Sequence, residues 1–140
     1  MKLLAFDHGR ARTGVAVTDP TGTLVRPLPA ILRIDSPAGV REREQVIARE
    51  RPERIIVGEP LLMSGARGAQ ARAAAGFADR VRGRFGIPVD LVDERLSTRE
   101  AARRIEEAQL RRGAGPDLDS AAACILLESV VGYARADGRP

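Results

Sequence analysis

Residues 2–18, KLLAFDHGRARTGVAVT, contain two apolar runs separated by a short polar turn. The first run, Lys2–Phe6, is bounded by Asp7-His8-Gly9 and predicts a buried strand. The second predicts a strand over Thr13–Thr18, and the intervening HGRAR predicts a hairpin turn between them. The fold is therefore expected to begin with antiparallel strands, with Asp7 at the carboxyl end of the first.

The pattern beyond this pair alternates strands with helices. It predicts, in order, a strand over Thr23–Leu32, a helix from Ser36-Pro37 to about Glu50, a strand over Arg54–Val57, a helix over Ala69–Arg84, a strand over Pro88–Val92, a helix from Ser97 to about Arg111 and a helix over Asp117–Tyr133. Helices between strands imply right-handed parallel crossovers. We therefore predict an α/β fold with one mixed five-stranded sheet, three antiparallel strands followed by two parallel ones, and helices on both faces.

The length and composition exclude several kinds of protein. A chain of 140 residues predicts a single domain over residues 1–140. Its lone histidine, His8, and lone cysteine, Cys124, exclude an intrachain disulfide and a Cys/His zinc site, and leave His8 as the single imidazole base. No run approaches the length of a membrane span or of a signal peptide's apolar region, so we expect a cytoplasmic protein with no membrane partner.

The charge balance favours a polyanionic partner. The chain has 23 basic and 19 acidic residues, a net charge of +4 and a pI near 10.4. Codon bias in a GC-rich genome would explain the preference for arginine over lysine without explaining the basic balance. The chain has only three phenylalanines, one tyrosine and no tryptophan, which argues against a nucleic-acid surface that works by aromatic stacking.

Three acidic positions follow the predicted strands or enter the last helix. Asp7 and Asp93-Glu94 come at the carboxyl ends of strands that we expect to be parallel, which is the edge where sites form in open α/β sheets. Asp119 lies on the apolar stripe of the last helix. Each acid also has a purely structural explanation, since Asp7 could close the turn, Asp119 could favour the helix dipole, and Asp93 or Glu94 could pair with a nearby arginine.

Clustered carboxylates repel one another, and a bound cation removes that repulsion. Because the ligands would be oxygens only, the cation is expected to be Mg²⁺ or Mn²⁺. Two such ions can activate water and stabilise a leaving oxygen, which suits hydrolysis of phosphodiester bonds and needs no histidine or cysteine. The sequence thus predicts a metal-dependent nuclease.

Four runs of the chain carry a family resemblance: LLAFDHGRARTGVAV at 3–17, IIVGEPLLMSG at 55–65, VDERLSTREAARRI at 92–105 and DLDSAAACILLES at 117–129. Together they resemble the YqgF/RuvX family, which is similar to RuvC-type Holliday junction resolvases. The resemblance implies a ribonuclease H-like fold. It also implies a nuclease that matures the 5′ end of pre-16S rRNA or a resolvase of four-way DNA junctions.

The resemblance places the family's three catalytic, metal-binding acids on Asp7, Glu94 and Asp119. Asp93, Arg95, Asp117 and Glu59 are candidates for supporting roles around them. Several alternatives stay open: Arg95 could contact phosphate or orient Glu94, and Asp117 is also a good helix N-cap. Glu59, which stands where the family has an apolar residue, could be a fourth ligand or a solvated loop acid. Ser97 and Glu100 fit a capping box for the helix that follows.

Arginines provide the candidate contacts with nucleic acid. They are Arg10, Arg12, Arg67, Arg72 and Arg95, and the most basic segment is Gly65–Arg84, which could equally be an ordinary solvated helix face. A non-catalytic RNA- or ribosome-binding factor remains a rival to the nuclease. The sequence leaves open whether the protein is a monomer or a homodimer, the latter being the form in which RuvC-type resolvases cut symmetric junctions.

Overall fold

The computed structural model describes residues 1–97, 99–112 and 120–136. Its elements are β1 (Leu3–Asp7), β2 (Arg12–Thr18), β3 (Val25–Leu32), α1 (Pro37–Glu50), β4 (Arg54–Glu59), α2 (Ala69–Phe85), β5 (Val89–Asp93), a short 3-10 helix (Glu94–Leu96), α3 (Arg99–Arg112) and α4 (Ala121–Ala136). They form one sheet in the order β3-β2-β1-β4-β5. The pairs β1–β2 and β2–β3 are antiparallel and β1–β4 and β4–β5 are parallel, which confirms the predicted mixed sheet.

Three strands extend further at their carboxyl ends than the sequence predicted. Asp7 pairs with Gly14, and Glu59 pairs with Asp93, so these acids belong to the strands and do not follow them. The chain then enters the 3-10 helix, whose turn is closed by a hydrogen bond from the Ser97 amide to the Glu94 carbonyl. The described part of α3 begins at Arg99 and residue 98 lies outside the described residues, so the capping of this helix by Ser97 stays a prediction. The predicted start of the last helix at Asp117 lies outside the described residues.

The alternation of side chains along the strands separates two apolar cores, one on each face of the sheet. Phe6 and Val57 face α1 and α2 and pack with Phe77 in the first core. Ala5 and Ile56 face α3 and α4 in the second core. Helices therefore cover both faces, as predicted. Among the described residues, none of the helices is both long and apolar enough to span a membrane.

An irregularity in the β2–β3 ladder fixes where α4 begins. Between the pairs Thr13–Ile31 and Val15–Leu28, β3 contains one residue more than β2, which is a β-bulge. The buried hydroxyl of Ser120 fills the gap, because it accepts a hydrogen bond from the Val15 amide (3.1 Å) and donates one to the Leu28 carbonyl (2.7 Å). This side chain attaches the N-terminal end of α4 to the sheet next to β1.

The connection from β3 to α1 is unusually tight. Arg33 adopts a left-handed backbone conformation, with φ of 44°, that costs a non-glycine residue about 1–2 kcal/mol. Its amide donates to the Ala11 carbonyl (3.0 Å), and its own carbonyl accepts from the Ser36 amide (2.9 Å) and hydroxyl (2.7 Å). Ser36 caps α1, as predicted, by accepting from the Gly39 amide (3.1 Å). These bonds hold the β3–α1 turn rigidly against the β1–β2 turn.

Candidate active site

The parallel strands bring Asp7 and Glu94 to one edge of the sheet, on either side of β4. Phe6 pairs with Val57 and Gly58 pairs with Val92, so continuing the first register by one residue puts Asp7 beside Gly58. Gly58 leaves the space between the two acids open. A methyl group at this position would stand 2.5 Å from Oε1 of Glu94 and 3.1 Å from its Cγ.

The pKa of Glu94 lies well above its ordinary value. Burial is the largest cause, and together with the hydrogen bond to Asp7 and the negative charge of Asp7 it raises the pKa from 4.5 to about 8. Asp93 adds a smaller electrostatic contribution in the same direction. A carboxyl group whose pKa is raised by a neighbouring carboxylate can exchange its proton for a divalent cation that both groups bind.

Asp7 and Glu94 thus offer the donor chemistry that Mg²⁺ or Mn²⁺ requires, since both are carboxylates. Within residues 1–97, 99–112 and 120–136, no group of three or more His, Cys, Asp or Glu side chains is arranged to hold a metal ion. The predicted third ligand, Asp119, lies outside these residues, as does Asp117. The described site therefore contains two of the three predicted carboxylates.

A pocket of about 770 Å³ opens beside this pair. Five segments surround it: the β1–β2 turn, the β3–α1 turn, the residue after β4, the start of α2 and the 3-10 helix. The lining residues are Asp7, His8, Gly9, Arg10, Arg33, Asp35, Ser36, Pro60, Ala69, Gln70, Ala73 and Glu94. Acidic and basic side chains thus face one another across a cavity at the carboxyl edge of the sheet, which is where ligands bind in open α/β folds.

Asp35 organises a polar network on the pocket wall. It accepts from Nε2 of His8 (3.0 Å), from Arg43 (3.1 Å) and from Arg80 (2.9 Å). Burial alone would raise the pKa of Asp35, but the hydrogen bonds from His8 and Arg80 outweigh it and leave the pKa below its usual value. The His8 ring and the Arg43 guanidinium both lie against Phe77, at 4.9 and 5.3 Å from its ring centre. His8 is thus held in place beside Asp7.

Sequence reasoning treated His8 as a lone candidate base and did not single out Asp35. The signal for their pairing is weak, because the two residues lie 27 positions apart and on different connections. The backbone bond from the Arg33 amide to the Ala11 carbonyl joins the two turns that carry them.

The two predicted supporting acids that the structure describes, Glu59 and Asp93, each have an arginine partner. Glu59 is buried at the end of β4 and accepts from Nε of Arg67 at 2.6 Å. Asp93 accepts two hydrogen bonds from the Arg95 side chain, at 3.0 and 2.7 Å to one carboxylate oxygen, and these bonds lower the pKa of Asp93. The structural alternative for Asp93, a pairing with Arg95, is therefore the one observed. The role of Glu59 toward a metal stays a proposal.

The arginines of the basic segment are mostly engaged with acids, either on other elements or, for Arg82, on the same helix. Arg80 binds Asp35, Arg82 binds Asp79 and Arg84 binds Glu44. Arg72 donates to the Arg67 carbonyl, and Arg12 starts β2 opposite Leu32. Of the five predicted nucleic-acid contacts, Arg10 lines the pocket. Arg33, which the sequence did not single out, lines it as well.

Comparison with known sequences shows the family of the chain. Residues 1–132 match the sequence model of the family described as RuvX: Holliday junction resolvase. The chain belongs to the RuvX family. It is 43% identical over 128 residues to an Escherichia coli protein named "Putative pre-16S rRNA nuclease", an alignment that covers 91% of this chain and 93% of the relative. The predicted membership of the YqgF/RuvX family is thereby confirmed.

Solved structures support the fold of this RuvX-family chain. Thermus thermophilus RuvC superposes with a TM-score of 0.67 at 20% identity, covering 98% of this chain and 97% of that one. The same protein in complex with a Holliday junction substrate gives a TM-score of 0.66 at 21% identity, over 99% and 98% of the two chains. The predicted ribonuclease H-like architecture is therefore confirmed.

Proposed function

We propose that this chain is a metal-dependent nuclease that hydrolyses phosphodiester bonds in structured nucleic acid, and that its substrate is the 5′ end of pre-16S rRNA. The observation that carries the proposal is the Asp7–Glu94 pair, which lines a pocket together with two arginines and in which burial and Asp7 raise the pKa of Glu94. The named relative in Escherichia coli favours the RNA substrate. We place the protein in the cytoplasm, where that precursor is made.

Asp7 and Glu94 would hold a Mg²⁺ or Mn²⁺ ion, with Asp119 as the third ligand. Support for Asp119 comes from its neighbour Ser120, which bonds to the amide of Val15, the strand partner of Phe6. When bound, the metal would activate water and stabilise the leaving oxygen of the phosphodiester. The proton that Glu94 holds leaves when the cation binds, since a metal ligand must be deprotonated.

The other residues of the site have positioning roles in this proposal. Arg95 holds Asp93 at the start of the turn that carries Glu94, so the pair orients Glu94 through the backbone. Arg67 neutralises the buried Glu59 at the end of β4. The Asp35 network holds His8 and keeps the wall beside Asp7 rigid.

The test is a side-by-side cleavage assay of pre-16S rRNA and a four-way DNA junction in Mn²⁺ and Mg²⁺. We expect the wild-type protein to cleave the rRNA precursor, and Asp7→Asn and Glu94→Gln to lower the rate by at least about a hundredfold. Asp90→Asn is the matched control, because Asp90 is an exposed acid on β5 whose partner is Arg54. Activity that survives Asp7→Asn would refute the proposal.

A junction resolvase is the second candidate, favoured by the family's description and by the RuvC fold. It predicts preferential cleavage of the four-way junction and a homodimer in solution, because paired incisions require two sites. A monomeric solution mass together with cleavage of the rRNA precursor would decide against it. A protein that binds RNA but neither cleaves it nor binds Mn²⁺ would instead be a non-catalytic ribosome-associated factor.

A further inference from the structure

We propose that Arg33, together with Arg10, forms a phosphate-binding subsite in the pocket beside Asp7 and Glu94, so that the substrate must present a second phosphate next to the one that is cleaved. This inference rests on the proposed function and deepens it. Nucleic-acid strands carry a phosphate at every nucleotide, so a cation near the site can bind the neighbour of the scissile group.

The first argument is the charge balance of the pocket. Its acids are Asp7 and Glu94, which are the proposed metal ligands, and Asp35, which accepts hydrogen bonds from His8, Arg43 and Arg80. The guanidinium groups of Arg10 and Arg33 form no ion pair with any acid in the described part of the chain. Both line the pocket and both are exposed. The cationic charge that remains available there belongs to these two residues.

The second argument is the backbone of Arg33. Its left-handed conformation is one that glycine or asparagine adopts more easily than arginine. The turn needs this conformation, because the Arg33 carbonyl receives two hydrogen bonds from Ser36 and packs so closely on Gly39 that a Cβ there would stand 2.1 Å from the carbonyl oxygen. An arginine at this position therefore makes the folded protein less stable than a glycine would, and it places a cation in the pocket. Backbone strain of this kind is typical of functional sites.

The third argument is that the two arginines are held on connected turns. The Arg33 amide donates to the carbonyl of Ala11, the residue after Arg10, and Arg12 pairs with Leu32 across β2 and β3. Asp7 begins the same turn that carries Arg10. The hydrogen-bonded backbone thus fixes both cations relative to Asp7, which is what a subsite for the adjoining phosphate requires.

Arg51 offers a matched control that the chain itself supplies. It has the same left-handed backbone, with φ of 49°, and an exposed side chain, and it forms no ion pair with a described acid. It lies at the C-terminal end of α1, whereas Arg33 precedes the N-terminal end of this helix. Replacement of Arg51 therefore removes the same charge from the same type of backbone, but away from the pocket.

The experiment measures binding of a labelled stem–loop RNA by Asp7→Asn protein at a series of salt concentrations. Relative to this background, we expect Arg33→Gln and Arg10→Gln each to weaken binding by about tenfold and to reduce the slope of log K against log salt by about one unit. Arg51→Gln should leave both quantities unchanged. Arg33→Gly should weaken binding like Arg33→Gln while raising the melting temperature, since glycine relieves the strained backbone.

The proposal is overturned if Arg33→Gln and Arg51→Gln have equal effects, or if the Asp7→Asn protein shows no salt-dependent binding of the RNA. Failure of this subsite is distinct from failure of the proposed function. If the wild-type protein cleaves the RNA but Arg33→Gln binds RNA like Arg51→Gln, the proposed nuclease function stands and the proposed subsite is refuted. If the wild-type protein does not cleave the RNA, but Arg33→Gln and Arg10→Gln both weaken binding and reduce its salt dependence, the proposed subsite stands and the nuclease function is refuted.

Discussion

Gly58 lies directly beneath the carboxylate of Glu94, with room for no additional atom: a Cβ at Gly58 would stand 2.5 Å from Oε1 of Glu94 and 3.1 Å from Cδ2 of Leu126. The closest contact is with the end of a flexible side chain. Glu94 can therefore move aside without disturbing the strand, but only by leaving its place next to Asp7.

The first prediction follows from this contact. If the proposed function holds, we expect Gly58→Ala to lower the rate of RNA cleavage by about a hundredfold, because displacement of the proposed metal ligand Glu94 by about 1 Å is sufficient for such a loss. The melting temperature should change much less than the rate. Steady-state cleavage and thermal unfolding of the same preparation measure the two effects.

Gly83→Ala is the control for this substitution. Gly83 lies in α2, and a Cβ there would meet nothing within 4 Å. Alanine should stabilise the helix by about 0.5–1 kcal/mol and leave the cleavage rate unchanged. A Gly58→Ala protein with wild-type activity would contradict the packing of Glu94 described above.

The second prediction concerns pH. The folded protein binds a proton on Glu94 up to a pKa of about 8, whereas the unfolded chain releases it near the ordinary value of 4.5. Between these values the folded state holds more protons, so the free energy of unfolding of the metal-free protein should fall as pH rises. Urea denaturation at about pH 5 and at about pH 9 measures the slope, which Glu94→Gln should reduce.

Added Mn²⁺ gives an independent measurement of the same site. Because the cation replaces the proton, it should raise the melting temperature more at high pH than at low pH. Asp7→Asn should abolish this increase, and Asp90→Asn should preserve it. Equal stabilisation by Mn²⁺ at both pH values would contradict the assignment of Glu94 as a ligand.

The third prediction concerns the bulge that Ser120 fills. Ser120→Ala leaves the Val15 amide and the Leu28 carbonyl buried without their partner, which should cost about 2 kcal/mol of folding free energy. Chemical denaturation measures the loss. Ser64→Ala removes a hydroxyl from an exposed loop and should change stability by no more than about 0.5 kcal/mol. Equal effects of the two substitutions would refute the bridging role.

The fourth prediction concerns Asp35. Its removal in Asp35→Ala deprives Arg43, whose side chain is 7% exposed, of its carboxylate partner. Because Asp35 itself is 41% exposed, we expect a moderate loss of about 1–3 kcal/mol. Arg80→Ala removes an exposed partner from the same carboxylate and should cost less than about 1 kcal/mol. Calorimetry on both variants compares their free energies of unfolding. A larger loss for Arg80→Ala than for Asp35→Ala would contradict the central role of Asp35 in this group of hydrogen bonds.

The local pattern of the sequence was sufficient to predict the sheet. The apolar runs around Phe6 and Val57 and the helices between later strands determined the strand directions, and these directions placed Asp7 and Glu94 at the same edge. Such inferences succeed because apolar periodicity reports burial residue by residue.

The contacts that complete the site depend on residues far apart in the chain. Asp35 meets His8 and Arg80 only after three elements have packed, and Ser120 bonds to Val15 across 105 positions. The hydrophobic periodicity of the sequence does not predict contacts between such distant side chains. The same limit applies to the basic segment, where the ion pairs of Arg80 and Arg84 with acids outside α2 could not be predicted from the sequence.

The position of Gly58 on β4, between Asp7 and Glu94, determines when during synthesis the two acids can come together. Asp7 ends the first strand to be synthesised and Glu94 follows the last, with β4 lying between them in the sheet. The acids can meet only after β5 has docked on β4. A growing chain that ends before β5 therefore contains Asp7 without Glu94, and the pocket that the two acids line cannot yet be complete.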